Sequence, residues 1–162
     1  MNTLSRFLTI AGMAIMFCAC ASTSSPEAID ANLDHAEAVA ADGDYRQALE
    51  LSNRMATSPD TAAFSARQYC RLAMIFATVA DNITDNESAM ASAVSSLCHA
   101  LSINPDTVAA YINELDVTRN ASMQTTLQLI HGANIDISKY TDGEDVIIED
   151  HDIDPDSLHS HE

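Results

Sequence analysis

The sequence predicts an all-α protein made of antiparallel helix pairs, followed by an acidic C-terminal tail. Alanine is abundant, whereas the 162 residues include only four glycines and four prolines. Runs of alternating β-branched residues, which would indicate strands, are missing. Three of the prolines directly follow a serine or an asparagine, an order that is typical of helix starts. About 140 residues follow the apolar N-terminal leader, enough for one domain with its own core.

The first two helices are bounded by residues that favour helix ends. Ser25 and Pro26 predict the start of the first helix, and Gly43 predicts its end. Asp44 is the predicted cap of the second helix, with Gln47 three residues later as in a capping box. In both segments the residues expected to face the core recur at helical spacing. They are Ile29, Leu33, Ala36, Val39 and Ala40 in the first helix, and Ala48, Leu49, Leu51 and Met55 in the second.

A third helix is predicted to begin at Ser58 and Pro59 and to run to about residue 80. Its second half, residues 69–80, is apolar nearly all round. Because a helix that is hydrophobic on every side is buried on every side, we expect this helix to be the central one. Three further helices are predicted from their periodicity and capping residues. They cover residues 87–102, 104–115 and 119–131, and Gly132 ends the last one.

Two stretches of the helical region share a spacing of small residues. They are Gly43-Asp44-Tyr45-x-x-Ala48-Leu49 and Ala93-x-x-x-Leu97-x-x-Ala100-Leu101-x-x-Asn104-Pro105-Asp106. Small residues let two antiparallel helices approach closely, and the proline ends one pair and starts the next. The pattern resembles tetratricopeptide repeats (TPR) over about residues 27–131. This resemblance implies a stack of helix pairs that binds a protein or a peptide. A small helical bundle without repeats is the alternative.

The first twenty residues have the layout of an export signal. A polar start that ends at Arg6 is followed by the uncharged, mostly apolar run of residues 7–17 and then by small residues. The segment Phe17-Cys18-Ala19-Cys20 resembles the lipobox of bacterial lipoproteins. In that family the final cysteine of the motif is acylated and becomes the mature N-terminus.

The lipobox resemblance implies a signal peptide over residues 1–19, lipidation of Cys20 and a flexible tether over residues 20–25. It also implies a bacterial cell-envelope location, at the outer membrane or the periplasmic face. Two alternatives stay open. Ordinary signal-peptidase cleavage after Ala21 would leave no lipid, and an apolar segment extended as far as Pro26 would be an uncleaved anchor.

The charge of the chain limits its partners. Its net charge of −17 repels nucleic acid and anionic lipid surfaces, so we expect no nucleic-acid partner and a membrane contact only through the lipid anchor. The helical domain is predicted over residues 26–132 and the acidic tail over 133–162. From residue 141 onward there are nine acidic residues and no lysine or arginine. Such a composition cannot bury enough surface to order itself, so the tail is predicted to be disordered.

Two features stand out within the tail. The spacing Asp152-x-Asp154-x-Asp156 resembles the opening of a calcium-binding loop. Because Ser157 stands where such a loop needs glycine, we predict a solvated acidic tail and no metal site. The second feature is the apolar run Val146-Ile147-Ile148, a candidate contact for the domain or for a partner.

Cys70 and Cys98 are predicted to lie at the same height on two neighbouring antiparallel helices. The turn between these helices is centred near residue 83 or 84, equally far from both cysteines. An exported protein meets an oxidising compartment, so the pair is a candidate disulfide. The alternative is two buried thiols that pack as small apolar side chains.

Four of the five arginines that follow the leader fall between residues 46 and 71. Arg46 and Arg54 share a face of the second predicted helix, and Arg67 and Arg71 are one turn apart on the third. This arginine patch is a candidate dock for a partner carboxylate, such as a peptide C-terminus. The alternative is ion pairing with the acidic residues of the chain itself.

The sequence contains no catalytic motif. No serine or cysteine stands in a turn of the G-x-S-x-G type, and no carboxylate of the domain is embedded in an apolar run where burial would raise its pKa. We therefore predict a non-enzyme without cofactors, a lipid-anchored envelope protein whose TPR-like domain binds a protein or a peptide. The alternative is a structural envelope lipoprotein without a dedicated ligand groove.

Overall fold

The computed structural model describes residues 25–84, 86–137 and 140, and over them the protein is helical. The described residues form six α-helices: α1 (Pro26–Ala41), α2 (Tyr45–Ala56), α3 (Ala66–Asn82), α4 (Glu87–Ile103), α5 (Pro105–Glu114) and α6 (Val117–Gly132). The helices pack against one another, and no strand occurs among the described residues. The predicted all-α fold is confirmed. The predicted leader, Cys20 and most of the acidic tail lie outside the described residues.

Capping side chains begin the first two helices, as the sequence predicts. The Ser25 hydroxyl accepts a hydrogen bond from the Ala28 amide at 3.3 Å, and the Asp44 carboxylate accepts one from the Gln47 amide at 3.1 Å. Each bond satisfies an amide that has no partner within its own helix. Gly43 links the two helices with a φ of +84°, a conformation that glycine adopts without steric penalty.

The prediction of one continuous third helix from Ser58 is wrong, because this stretch forms two elements. Residues Pro59–Ala63 are a short 3₁₀-helix, Phe64 is extended, and the next helix, α3, begins at Ala66. A reciprocal capping box begins α3. The hydroxyl of its N-cap Ser65 accepts from the Gln68 amide at 3.3 Å, and the Gln68 side-chain oxygen accepts from the Ser65 amide at 2.9 Å.

Tertiary contacts hold this break in place. Phe64 is buried, and its ring centre lies 5.3 Å from that of Tyr69. The Tyr69 hydroxyl donates to the Thr61 carbonyl at 2.9 Å, which ties the 3₁₀-helix to the first turn of α3. The extended residue therefore places an aromatic side chain in the core, where a continuous helix would turn it elsewhere.

The predicted central position of the third helix is confirmed for α3. It packs against each of the other five α-helices of the described chain, most extensively against α4. Its fully buried side chains are mainly apolar, and alanines at the contacts allow close approach of the helices. They include Cys70, Leu72, Ala73, Phe76, Ala77 and Val79.

The other helices are arranged around α3. Helix α1 packs on α2, and α3 packs on α4, while α5 contacts α3 and α4 more extensively than it contacts α6. Helix α6 folds back onto α3 and α4. These contacts fit a TPR-like stack and a small bundle equally. None of the helices in the described part of the chain combines the length and apolar character needed to cross a membrane.

Candidate functional site

A cleft of about 460 Å³ lies on the side of the domain lined by α1, α3 and α6. Met74 and Ile75 of α3 and Ala40 of α1 form its apolar floor, and Tyr111 of α5 closes one end. All four side chains are less than a tenth exposed, so the floor is part of the packed core. The cleft is therefore a preformed depression of the kind that takes one side chain or a short segment of a partner.

Acidic side chains line the rim of this cleft. They are Glu37 of α1, Asp81 of α3 and Asp116 at the start of α6, and they face a single cation, Arg119. Two contacts fix them in place. Asp81 accepts a hydrogen bond from the Ser122 hydroxyl at 2.6 Å, and Asp116 accepts from the amide of Arg119 at 3.0 Å as the cap of α6. Glu37 is paired with Arg71 of α3, and Asp116 lies 3.6 Å from the Arg119 guanidinium, whereas Asp81 bonds a hydroxyl. Within the described residues Asp81 is therefore the rim carboxylate that favours a cationic group in the cleft.

Tyr111 couples the end of the cleft to the ion pairs nearby. The Arg67 guanidinium lies 5.6 Å from the centre of its ring, a cation–π geometry. Burial raises the pKa of Tyr111 to about 12, and the nearby Glu37 carboxylate acts in the same direction. The phenol therefore stays protonated at neutral pH and is a hydrogen-bond donor at the cleft.

Arg71 is the most heavily paired charge of the described chain. Its guanidinium contacts three carboxylates of α1, with the Nε atom 2.8 Å from Glu37 Oε1, an Nη atom 3.3 Å from Asp30 Oδ1 and a further bond to Asp34. Only 16% of the Arg71 side chain is exposed. The hydrogen bond to Glu37 is the main reason why the pKa of Arg71 is raised. This contact joins α1 to α3.

The other arginines of the predicted patch are placed differently. Arg67 makes a two-pronged contact to Glu114, with distances of 2.6 and 3.4 Å, and the bond holds the pKa of Glu114 below its usual value. Arg54 lies 3.9 Å from Glu50 on the exposed face of α2, and no ion pair of Arg46 occurs among the described residues. The patch is not one surface, and the chain itself supplies the carboxylates for three of the four arginines.

Cys70 and Cys98 are free, buried thiols in the structure. They lie on the packed helices α3 and α4, but their neighbours differ: Tyr111 and Arg67 lie near Cys70, and Tyr140 bonds Cys98. Burial raises the pKa of Cys70 to about 12 and that of Cys98 to about 11. Both thiols therefore remain protonated, and poor nucleophiles, at neutral pH. Of the two alternatives that the sequence left open, a disulfide or two packed thiols, the structure has two packed thiols.

An aromatic ladder that the sequence did not predict crosses from α3 to the end of the described chain. His99 stacks on Tyr69 with ring centres 5.0 Å apart, and Tyr140 meets His99 edge-on at 4.9 Å. Ile135, Ile137 and Tyr140 pack against the core, although the predicted tail begins at residue 133. The packed domain thus extends to Tyr140. An isolated tyrosine after a polar stretch carries no periodic signal by which this contact could have been found.

No group of three or more histidine, cysteine, aspartate or glutamate side chains is placed to hold a metal ion within the described ranges. No protein-family model, curated protein or solved structure matches this chain.

Removing the Arg71 guanidinium should destabilise the domain markedly. The Arg71→Met variant keeps the length of the side chain but leaves three carboxylates of α1 without their shared cation, so the free energy of unfolding should fall by about 2 kcal/mol. Denaturant unfolding followed by circular dichroism measures the change. The matched Arg54→Met variant removes an exposed pair and should cost less than about 0.5 kcal/mol. Equal losses in the two variants would contradict this role of Arg71.

The domain should lose stability in alkali. The pKa values of the buried thiols and of Tyr111 and Tyr140 are raised from 9.0 or 10.0 to about 11 or 12, so the folded state holds protons that the unfolded chain releases. The stabilisation that these four protonated groups give the folded state is complete below pH 9 and disappears as the pH rises towards 12. The free energy of unfolding should fall by at least about 2 kcal/mol between pH 8.5 and 11.

Denaturant titrations across this pH range measure the effect. The Tyr111→Phe variant keeps the ring but removes a titrating phenol, and should therefore show a weaker dependence on pH. The Tyr45→Phe variant, at a partly exposed position, serves as the control. A stability that stays constant up to pH 11 would refute the assignment.

Proposed function

We propose that this chain is a lipid-anchored protein of the bacterial cell envelope whose helical domain binds a protein or peptide partner in the cleft between α1, α3 and α6. The observation that supports this proposal is the cleft. Its apolar floor consists of core residues, and hydrogen bonds within the chain hold charged side chains in place around it. Such a site is preorganised, which lowers the entropic cost of binding. The lipid anchor follows from the lipobox resemblance that ends at Cys20.

The charge of the rim determines the chemistry of the partner. Glu37 and Asp116 are paired with Arg71 and Arg119, but Asp81 bonds only the Ser122 hydroxyl among the described residues. On a chain with a net charge of −17, this carboxylate attracts a segment that carries a lysine or an arginine. The arginines that the sequence offered as a carboxylate dock support this choice. Because Arg67 and Arg71 are already bonded to carboxylates of the domain, a partner carboxylate would have to displace Glu114 or the acidic side chains of α1.

The arrangement of the helices supports a recognition role in a second way. The cleft lies where α1 and α5 both pack against α3, so consecutive helix pairs contribute to one surface. Stacked helix pairs with small residues at their contacts create extended binding faces of this kind, as the TPR resemblance implies.

A structural role without a dedicated ligand is the second candidate. It is favoured by the fact that each carboxylate of the rim already has a partner within the chain: Glu37 bonds Arg71, Asp81 bonds Ser122, and Asp116 caps α6. On this view the rim joins helices, and the domain acts as a spacer. The two candidates differ in whether another molecule occupies the cleft.

Site-specific photo-crosslinking in cells that express the full chain separates them. A photoreactive residue at Asn82, an exposed member of the cleft, should give one discrete crosslinked product. The same residue at Gln47, on the exposed side of α2, should give none. Asp81→Lys should abolish the product by reversing a rim charge, whereas Glu50→Lys, which changes the net charge equally outside the cleft, should leave it intact. Without a specific product at Asn82 the structural candidate stands.

The lipid anchor has a matched test in the leader. Cys20→Ala should remove the acyl chains from the mature protein and release it from membranes, because the acylated residue is lost. Cys18→Ala should leave the lipid in place. Mass spectrometry of the mature N-terminus, together with membrane fractionation, measures both results. A native protein that retains Met1, or that begins at Ser22 without lipid, would exclude the anchor.

A further inference from the structure

A second, apolar groove lies beside the N-terminal half of α4, away from the turn that leads into α5. It is formed by Met90 and Val94 of α4, Leu129 of α6 and Ile135 beyond α6, and has a volume of about 520 Å³. Leu129 is 44% exposed, so an apolar side chain of this groove faces solvent in the described structure. An exposed apolar surface of this kind is suited to cover by another segment.

We propose that the groove is the docking site of the chain's own tail, through residues 144–150. This segment carries Val146-Ile147-Ile148 between two pairs of carboxylates, Glu144-Asp145 and Glu149-Asp150. It contains the longest apolar run that follows Tyr140. Isoleucine side chains that leave water for an apolar groove supply the favourable free energy.

The position of Tyr140 places the tail within reach of the groove. Tyr140 is anchored on His99, nine residues along α4 from Met90, a separation of roughly 14 Å at the rise of an α-helix. Ile147 follows Tyr140 by seven residues, which span up to about 24 Å when extended. The segment therefore has enough length to return to the groove.

The sequence also supplies the reversal of direction that docking requires. From Ile135 to Tyr140 the chain passes from the N-terminal half of α4 towards its C-terminal half. Asp142-Gly143 follows immediately, and this dipeptide is a strong turn former because glycine adopts left-handed conformations freely. A turn at this dipeptide would direct residues 144–150 back along α4.

The N-terminus of α4 lies beside the groove and attracts a carboxylate, although the charged lining residue of the groove, Glu87, opposes one. The N-cap of α4, Asn86, makes no capping bond with its side chain, which instead donates to the Ala80 carbonyl at 3.0 Å. In the other five α-helices of the described chain, the N-cap side chain accepts from the first turn. The uncapped amides of α4 and the positive end of its dipole therefore favour a carboxylate of the tail beside Ile147 and Ile148. The carboxylate of Glu87 repels it.

Oxidation of Met90 by hydrogen peroxide tests the docking from inside the groove. The full chain is reconstituted in phosphatidylcholine vesicles, and peptide mass spectrometry follows the formation of the sulfoxide. The double variant I147D/I148D should raise the oxidation rate of Met90 by roughly tenfold, because a charged segment no longer covers the groove. Met55, a partly buried methionine of α2, should not respond.

The variant Ile153→Asp is the matched control within the tail, and its Met90 should oxidise at the native rate. Two results would overturn the proposal. One is an equal rate for Met90 in the native chain and in I147D/I148D. The other is a native protection that disappears as the ratio of protein to lipid is lowered, since a second copy would then be the occupant.

A reciprocal experiment changes the groove and measures the proteolysis of the tail. Leu129→Asp places a charge in the groove at an exposed position, and should accelerate cleavage after Glu144 and Glu149 by a glutamyl endopeptidase by roughly tenfold. Val117→Asp alters another exposed apolar residue of α6, 87% exposed and outside the groove, and should cleave like the native chain. Equal cleavage of the native chain and Leu129→Asp would also exclude docking.

Discussion

The enclosure of α3 by five other helices is the constraint on which the rest of this domain depends. The polar side chains of α3 that are buried or partly buried cannot rely on water, so a neighbour must satisfy them. Arg71 therefore bonds the carboxylates of α1, the Gln68 amide donates to Asp30 at 3.1 Å, and the Tyr69 hydroxyl donates to the Thr61 carbonyl. These bonds also determine how α1 and the 3₁₀-helix sit against the core.

Helix positions were predictable where the signal was local. Proline, glycine and capping residues act within one turn, and they located α1, α2, α4 and α5 to within a residue or two. The break before α3 was not predicted, because Ser58-Pro59 and Ser65-x-x-Gln68 are two competing helix starts seven residues apart. The burial of Phe64 selects the second, and burial depends on distant parts of the chain that a local pattern does not contain.

The candidate site was less predictable, for the same physical reason. The arginine patch was read from spacing along two helices, but the carboxylates that neutralise Arg67 and Arg71 lie 34 to 47 residues away in the chain. The cleft likewise combines α1, α3, α5 and α6, whose registers are set only by packing. Composition could indicate only the charge of the site, because a strongly acidic chain is expected to place carboxylates around a surface cleft.

Because Cys70 and Cys98 are buried, it matters whether the chain folds before or after its cysteines meet an oxidant. A cysteine that is reduced and enclosed is safe from oxidants, whereas the same cysteine in an unfinished chain reacts with any disulfide it meets. Helical domains dominated by near-neighbour contacts fold within milliseconds, and oxidation takes seconds to hours. If the chain is exported, as its lipobox resemblance implies, folding on that timescale would enclose Cys70 and Cys98 before an oxidant reaches them. A variant that folds slowly would instead leave both thiols open to mixed disulfides.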